Sequence, residues 1–306
     1  MSLLDRFIEV RPLEPDPRVA PHDWLEPEWL GFRHFSATSL RMLSRCPEQF
    51  RNRYVLHKKE RPSAALTIGS GFHSALKFNY SQKVDSHEDR KLSEVIEYLQ
   101  DEGWPKVVAD DGGVDEIRWD DGQTPDDGRR DAERMTSAYY KLVVPRVQPI
   151  TAEQKFSVRV PNVQVPIIGY IDQETETEII DTKTGKQVQR RPDGGWRFQG
   201  RIYQLVSLKP VHFHSVSRAK TPSIQTPLDS EEMVVSLNRR QNEATQAIVQ
   251  DFAAQVEFFM ERYGPENPWP QTGLFNSLRG GDACNFCGFR KTCIAWQGVD
   301  NIPANG

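Results

Sequence analysis

The spacing of apolar positions changes near the middle of this chain. In the first half it follows the helical period. SATSLRMLSRC, residues 36–46, sets Ser and Thr ahead of Leu40 and Leu43, and Phe50 and Tyr54 continue the stripe. That is the pattern of a capped amphipathic helix. Further helices are predicted over 66–80, 91–100 and 133–144. Between the last two, DEGWPKVVADDGGVDEIRWDDGQTPDDG is acidic, glycine-rich and aperiodic, and reads as an insertion or mobile loop. Residues 1–30 are proline-rich and aperiodic, the pattern of a surface arm.

The second half begins with period two. AEQKFSVRV, VPIIGYID and TEIIDTK are alternating or β-branched segments with short breaks, so three successive strands are predicted. WRFQGRIYQLVSL (196–208) returns to helical spacing, VHFHSVSR and EMVVSL read as strands, and a long amphipathic helix follows, ending near Gly264 and Pro265. Helices, a meander, then helix and strand imply an α/β or α+β core around a small mixed sheet. The implied segments are an arm (1–30), a helical segment (31–80), an acidic insertion (81–132), a core (133–220) and a C-terminal part (221–306), with 31–306 forming one composite domain.

Composition narrows the class. At 27% charged and 37% hydrophobic over 306 residues the mix suits a soluble protein with a sizeable core. No apolar run approaches membrane-helix length, and the N-terminus has no apolar signal core, so a cytoplasmic protein is expected. The net charge of −4 opposes indiscriminate coating of nucleic acid. Charge is nevertheless uneven. Residues 41–61 carry seven Lys/Arg against two Glu, and 183–201 six against one Asp, while 81–133 carry seven against seventeen acids. The two basic stretches are candidates for tracking a phosphate backbone, through Arg51, Arg53, Lys58, Lys59, Arg190, Arg191, Arg197 and Arg201. Tyr54 and Trp196 lie among them, either as core residues, the commoner role, or as rings for stacking on bases.

The candidate chemistry lies in GYIDQETETEIIDTKTG, residues 169–185. A hairpin centred between Glu176 and Thr177 sets Asp172 opposite Asp181, with Cβ atoms about 5 Å apart. Two carboxylates that close need a proton or a cation between them. Lys183 projects from the same face as Asp181. Hard oxygen ligands suit Mg²⁺ or Mn²⁺, and an adjacent ammonium suits a developing negative charge. GSGFHSAL presents His73 after small residues, and Gln199 and Tyr203 share one helical face. Glu153, at the start of the first strand, is a weaker candidate. CNFCGFRKTC holds Cys284, Cys287 and Cys293, and the remaining cysteine is Cys46. Four thiolates suit either zinc or an iron–sulfur cluster.

In this order the segments resemble the RecB-like branch of the PD-(D/E)XK nuclease superfamily. They are most similar to its iron–sulfur members, the CRISPR-associated RecB-like exonucleases and the AddB C-terminal nuclease. SATSLRMLSRCPEQFRNRYV is similar to that family's opening segment, GSGFHSAL to its Gly-x-x-x-His motif, and QGRIY to its Gln-x-x-x-Tyr motif. The resemblance implies a restriction-endonuclease-like core, with a small mixed sheet flanked by helices and closed by a helical N-terminal and C-terminal Fe–S clasp. It implies metal ligation by His73, Asp172, Asp181 and the Thr182 carbonyl, a catalytic Lys183, and Gln199 and Tyr203 supporting the site and contacting DNA. It also implies a [4Fe–4S] cluster on Cys46, Cys284, Cys287 and Cys293. Here Asp stands where many members carry Glu before x-Lys, and Gly-x-x-Asp replaces Pro-Asp.

The expected activity is a Mg²⁺- or Mn²⁺-dependent deoxyribonuclease, an exonuclease on single-stranded DNA or DNA ends, in recombination or repair. The alternative is a non-cutting DNA-end-binding module of a helicase–nuclease or recombination complex. The expected partners are DNA and a helicase or recombination protein, with no membrane.

Overall fold

A computed structural model describes residues 9–10, 31–271, 284 and 287–293. The arm expected over 1–30 lies outside the described residues except for Glu9–Val10, a two-residue strand β1. Two compact units emerge, and their boundaries differ from the expected segments. One comprises residues 1–60, 157–169 and 239–306, the other 61–156 and 170–238.

In the first unit, α1 (Ala37–Arg45) has Ser36 as N-cap, with Ser36 and Ser39 satisfying each other's backbone N–H groups in a capping box. Cys46 ends α1 in extended conformation and starts α2 (Pro47–Phe50), which runs into a π-helical turn over Arg51–Val55. Glu48 is buried and takes a bidentate pair from Arg51 (2.8 Å to each oxygen), together with the Trp269 backbone N–H at 2.7 Å. Arg51 therefore serves this buried knot and not a phosphate-tracking surface, in contrast to the expectation from its basic neighbourhood. Arg53, Lys58 and Lys59 remain exposed.

The second unit holds α3 (Ala64–Ser86), α4 (Leu92–Tyr98), α5 (Trp104–Asp110) and α6 (Pro125–Leu142). The stretch expected to be irregular is thus largely helical. A π-helical turn over Leu99–Gly103 joins α4 to α5, and Thr124 caps α6. Val95, Leu99 and Trp104 are buried with Ile68, Phe72, Leu76, Met135 and Tyr139 in one core. The acids occupy the outward faces, so their density in sequence hid a sparse apolar stripe.

The strands are β2 (Thr151–Arg159), β3 (Ile167–Glu174), β4 (Ile179–Gly185), β5 (Val211–Ser217), β6 (Ile224–Gln225) and β7 (Val234–Val235). They follow the order β1-β2-β3-β4-β5-β6, with β7 also on β5. β3 and β4 form an antiparallel hairpin, whereas β4 and β5 are parallel over seven residue pairs, from Ile179–Val211 to Gly185–Ser217. A parallel pair needs a crossover, supplied here by α7 (Gly194–Tyr203), shorter than the 196–208 expected and closed by turns at its end. Trp196 of α7 stacks on Phe213 at 5.8 Å between ring centroids, a packing contact that accords with a core role and not with the base-stacking alternative. Ile179 to Thr182 are all buried because both faces of β4 are covered. The long helix α8 (Arg239–Tyr263) belongs to the first unit.

Leu99 is fully buried, so Leu99→Ala should destabilise the protein by about 2–5 kcal/mol in urea denaturation. A loosely inserted acidic loop would leave the midpoint where it was.

Candidate metal and active site

All the candidate acid, imidazole and amine residues fall in the second unit. The β3–β4 register pairs Gln173 with Ile180 and Glu174 with Ile179. Continued by one step it faces Asp172 to Asp181, as the hairpin centre implied. Here the backbone ladder gives way: the Thr182 N–H donates to Asp172 Oδ2 at 2.8 Å. The side chain replaces a strand carbonyl and fixes the carboxylate.

His73 arrives from α3 for a steric reason. A Cβ on Gly69 would lie 2.7 Å from Thr184 Oγ1, so only glycine lets this turn of α3 approach β4 so closely. One turn later His73 Nδ1 lies 3.5 Å from Asp172 Oδ2. Glu153 completes a triad. Donor atoms of His73, Glu153 and Asp172 all lie within 4.8 Å of one another. Sequence alone undervalued Glu153 because its aim depends on a backbone irregularity. Its φ of +52° breaks the alternation of β2, leaving Gln154 and Lys155 both exposed. Such a kink re-aims a side chain, and no residue type in AEQKF announces it.

Asp181 sits deeper, with 1% of its side chain exposed. Its Oδ1 lies 2.9 Å from the Tyr203 hydroxyl and accepts from Gln199 Nε2 at 3.1 Å. Gln199 Nε2 also donates to Tyr203 Oη at 2.6 Å, and the Tyr203 hydroxyl lies 2.9 Å from the Tyr170 carbonyl. Gln199 Oε1 accepts from Lys183 Nζ at 2.8 Å. The ammonium lies 2.6 Å from Asp181 Oδ2, yet this buried oxygen has no well-aligned hydrogen bond. The contact is an ion pair that leaves a lone pair open. α7 carries Gln199 and Tyr203 because Asp193 caps its first turn, accepting from the Trp196 N–H at 2.8 Å.

Crowding shows in the ionisation of the acids. Burial first, then the Asp172 charge, pushes the Glu153 carboxyl up to about 7. Asp172 is also raised, by burial and then Asp181, against the opposing pull of His73 and Lys183. Burial and the two Asp charges raise Tyr203 well above the usual phenol range, so it stays protonated. A hard divalent cation would relieve all three carboxylates and fill the open lone pair of Asp181. The donor set fits such an ion.

The four cysteines are all half-buried and lie in the first unit. A run of turns, Cys287 N–H to the Cys284 carbonyl (3.2 Å), Arg290 N–H to that of Cys287 (3.1 Å) and Cys293 N–H to that of Arg290 (3.2 Å), gathers the C-terminal three. Burial, followed by Glu60 and Cys46, raises the Cys287 thiol to about 11. Cys46 and Cys287 thus sense each other across the sequence.

Among the described residues, no helix is long and apolar enough to cross a membrane. The family model of the PD-(D/E)XK nuclease superfamily matches residues 34–294. No curated protein matches. A crystal structure from Eubacterium rectale, of a protein provisionally assigned as an exonuclease, aligns at 10% identity over 87% of this chain and 94% of that one, with a TM-score of 0.53. At that identity the likeness is one of fold. The protein SSO0001 aligns at 15% identity over 72% of this chain and 95% of its own, with a TM-score of 0.34, too low to bear on the fold. The family match spans α1 to α8, strands β2 to β7 and every candidate residue of the site, and the chain belongs to the PD-(D/E)XK nuclease superfamily.

Proposed function

We propose that the protein is a Mg²⁺- or Mn²⁺-dependent deoxyribonuclease, acting as an exonuclease on single-stranded DNA or DNA ends. The observation that carries this reading is the gathering of His73, Glu153 and Asp172 beside a buried Asp181 that is ion-paired with a fixed lysine. His73, Glu153, Asp172, Asp181 and the Thr182 carbonyl would hold the ion, which when bound acidifies water and neutralises phosphoryl charge. Lys183, anchored by Gln199 and Asp181, orients the attacking water and stabilises charge on the phosphoryl oxygens. Gln199 and Tyr203 act through Lys183 and Asp181, keeping both in position. Lys186, Arg190, Arg191 and Arg197 are exposed and flank the site in sequence, a path for the DNA backbone. Tyr170, 53% exposed and on the same strand face as Asp172, offers a ring for an unpaired base, which favours single-stranded substrate. The neighbour from Eubacterium rectale, assigned as an exonuclease, agrees with this reading.

We infer also that Cys46, Cys284, Cys287 and Cys293 hold a [4Fe–4S] cluster. The thiols are of the right kind and come from both ends of the chain, one from the N-terminal helical segment and three from the C-terminal turns.

Labelled DNA should be degraded with Mg²⁺ or Mn²⁺ and left intact in EDTA. Asp181→Ala, Lys183→Ala and His73→Ala should each lower kcat by roughly a hundredfold or more, and Glu153→Gln by about 10–100-fold through weaker metal binding. An Asp181→Ala enzyme as active as its parent would falsify the mechanism.

The Glu153 carboxyl moves from an ordinary 4.5 to about 7 on folding, so the folded chain binds this proton more tightly than the unfolded one. Without metal, stability should therefore fall as pH rises between these values. Added Mg²⁺ should restore it above the upper value, and Glu153→Gln should flatten the dependence. Thermal melts across this range check the sign.

Protein purified without oxygen should be brown and carry about four iron and four acid-labile sulfide per chain, falling sharply in Cys46→Ser. Stoichiometric zinc without sulfide would assign the thiols to zinc instead.

A further inference from the structure

Asp181 and Lys183 share one face of β4, and Ile180 and Thr182 the other. On that second face the second unit encloses a cavity of ≈ 710 Å³, between the sheet, the end of α6 and the segment joining β6 to β7. That volume suits a small ligand or a few side chains, and the nuclease chemistry makes no use of it. Val143, Ile180, Ile224 and Val234 give it apolar walls. Leu142 and Leu228 also line it and are 55% and 80% exposed. Two large aliphatic side chains left in water beside one concavity mark a surface that gains by being covered.

The polar lining is lopsided: Glu178, Asp229 and Glu231 stand against one guanidinium, Arg146. His212 Nδ1 lies 2.6 Å from Glu178 Oε2, and His214, 5% exposed, is occupied through Nδ1 at 2.6 Å from the Tyr139 hydroxyl. Asp229 fixes the rim, its Oδ2 accepting from the Thr226 N–H at 2.8 Å and hydroxyl at 3.0 Å. Glu231 is exposed and, among the described residues, makes no side-chain pairing of this kind. A surplus of carboxylates repels DNA, so the cavity is not a continuation of the substrate path. Its occupant must bring apolar surface and positive charge together.

We propose that this cavity docks a partner protein through a short segment in which apolar side chains alternate with lysine or arginine. The apolar groups fill the space between Val143, Ile180 and Ile224 and cover Leu142 and Leu228. The cations face Glu231 and the outer oxygens of Glu178 and Asp229. Opposite charge around a desolvated apolar centre is the arrangement that gives such contacts both affinity and selectivity.

The test uses the full chain with its metals and an array of immobilised hexapeptides, each with two apolar and two basic residues, beside twins with glutamate for the basic residues and twins with serine for the apolar ones. Basic–apolar peptides should bind, and both sets of twins should not. In fluorescence polarisation with the best binder, Leu228→Asp should weaken affinity about tenfold and Glu231→Lys about fivefold at low salt. Both residues are exposed and outside the catalytic site, so nuclease activity and iron content should match the parent. The proposal is overturned if no basic–apolar peptide binds, if either set of twins binds equally well, or if both variants bind as the parent does. Arginine amide binding as tightly as the best peptide would also overturn it, since the site would then be one for a small cation.

Discussion

Three carboxylates, Glu153, Asp172 and Asp181, are forced into one partly dehydrated corner, and the surrounding second unit is shaped by that crowding. Two unit charges about 4 Å apart repel by roughly 4 kcal/mol at the effective dielectric of a protein surface. Lys183 and His73 offset part of this, and proton uptake by Glu153 and Asp172 is the remaining escape for the metal-free chain. The fold holds the acids there regardless. A positive φ turns Glu153 inward, Gly69 draws α3 onto β4, and the hairpin surrenders a backbone hydrogen bond so that Thr182 can fix Asp172. Each device trades local regularity for the placement of a charge. A cation would turn the repulsion into attraction, which is the physical basis for the proposed metal site.

How much of this could be read in the sequence depended on whether the cause was local. The facing of Asp172 and Asp181 follows from the centre of one short hairpin and period-two geometry. The i,i+4 pairing of Gln199 and Tyr203 follows from helical spacing, whereas His73 is singled out by the resemblance of GSGFHSAL to a family motif and not by any local pattern. Glu153 was obscure because a backbone kink, set by tertiary packing, decides which way it points. The helices between residues 92 and 131 were obscure for another reason. Their apolar residues are few, and only partners distant in sequence, such as Leu76 and Met135, make a core of Val95, Leu99 and Trp104. Arg51 looked like a surface cation, but Glu48, three residues earlier, holds it in a buried pair. A basic run in sequence does not show which of its charges are already spent on partners.

The parallel pairing of β4 with β5 constrains more than the site. In its register Asp181 faces Phe213 and Lys183 faces Ser215, on the side covered by α7, while Ile180 faces His212 and Thr182 faces His214 on the other. A slip of one residue would turn Lys183 toward the apolar core of α3 and α6 and bring Ile180 to the face of the acids. The same pairing therefore sets the face that carries the acids and Lys183 and the floor of the cavity behind it. Tyr139 stands where the two meet, its hydroxyl 2.6 Å from His214 Nδ1 and 3.4 Å from Thr182 Oγ1. The backbone N–H of that same Thr182 holds Asp172. Burial keeps the Tyr139 phenol protonated, so it remains a fixed polar link inside an otherwise apolar layer. Through Thr182, whose side chain lies on the cavity face and whose backbone N–H reaches Asp172, that link joins the two faces of β4.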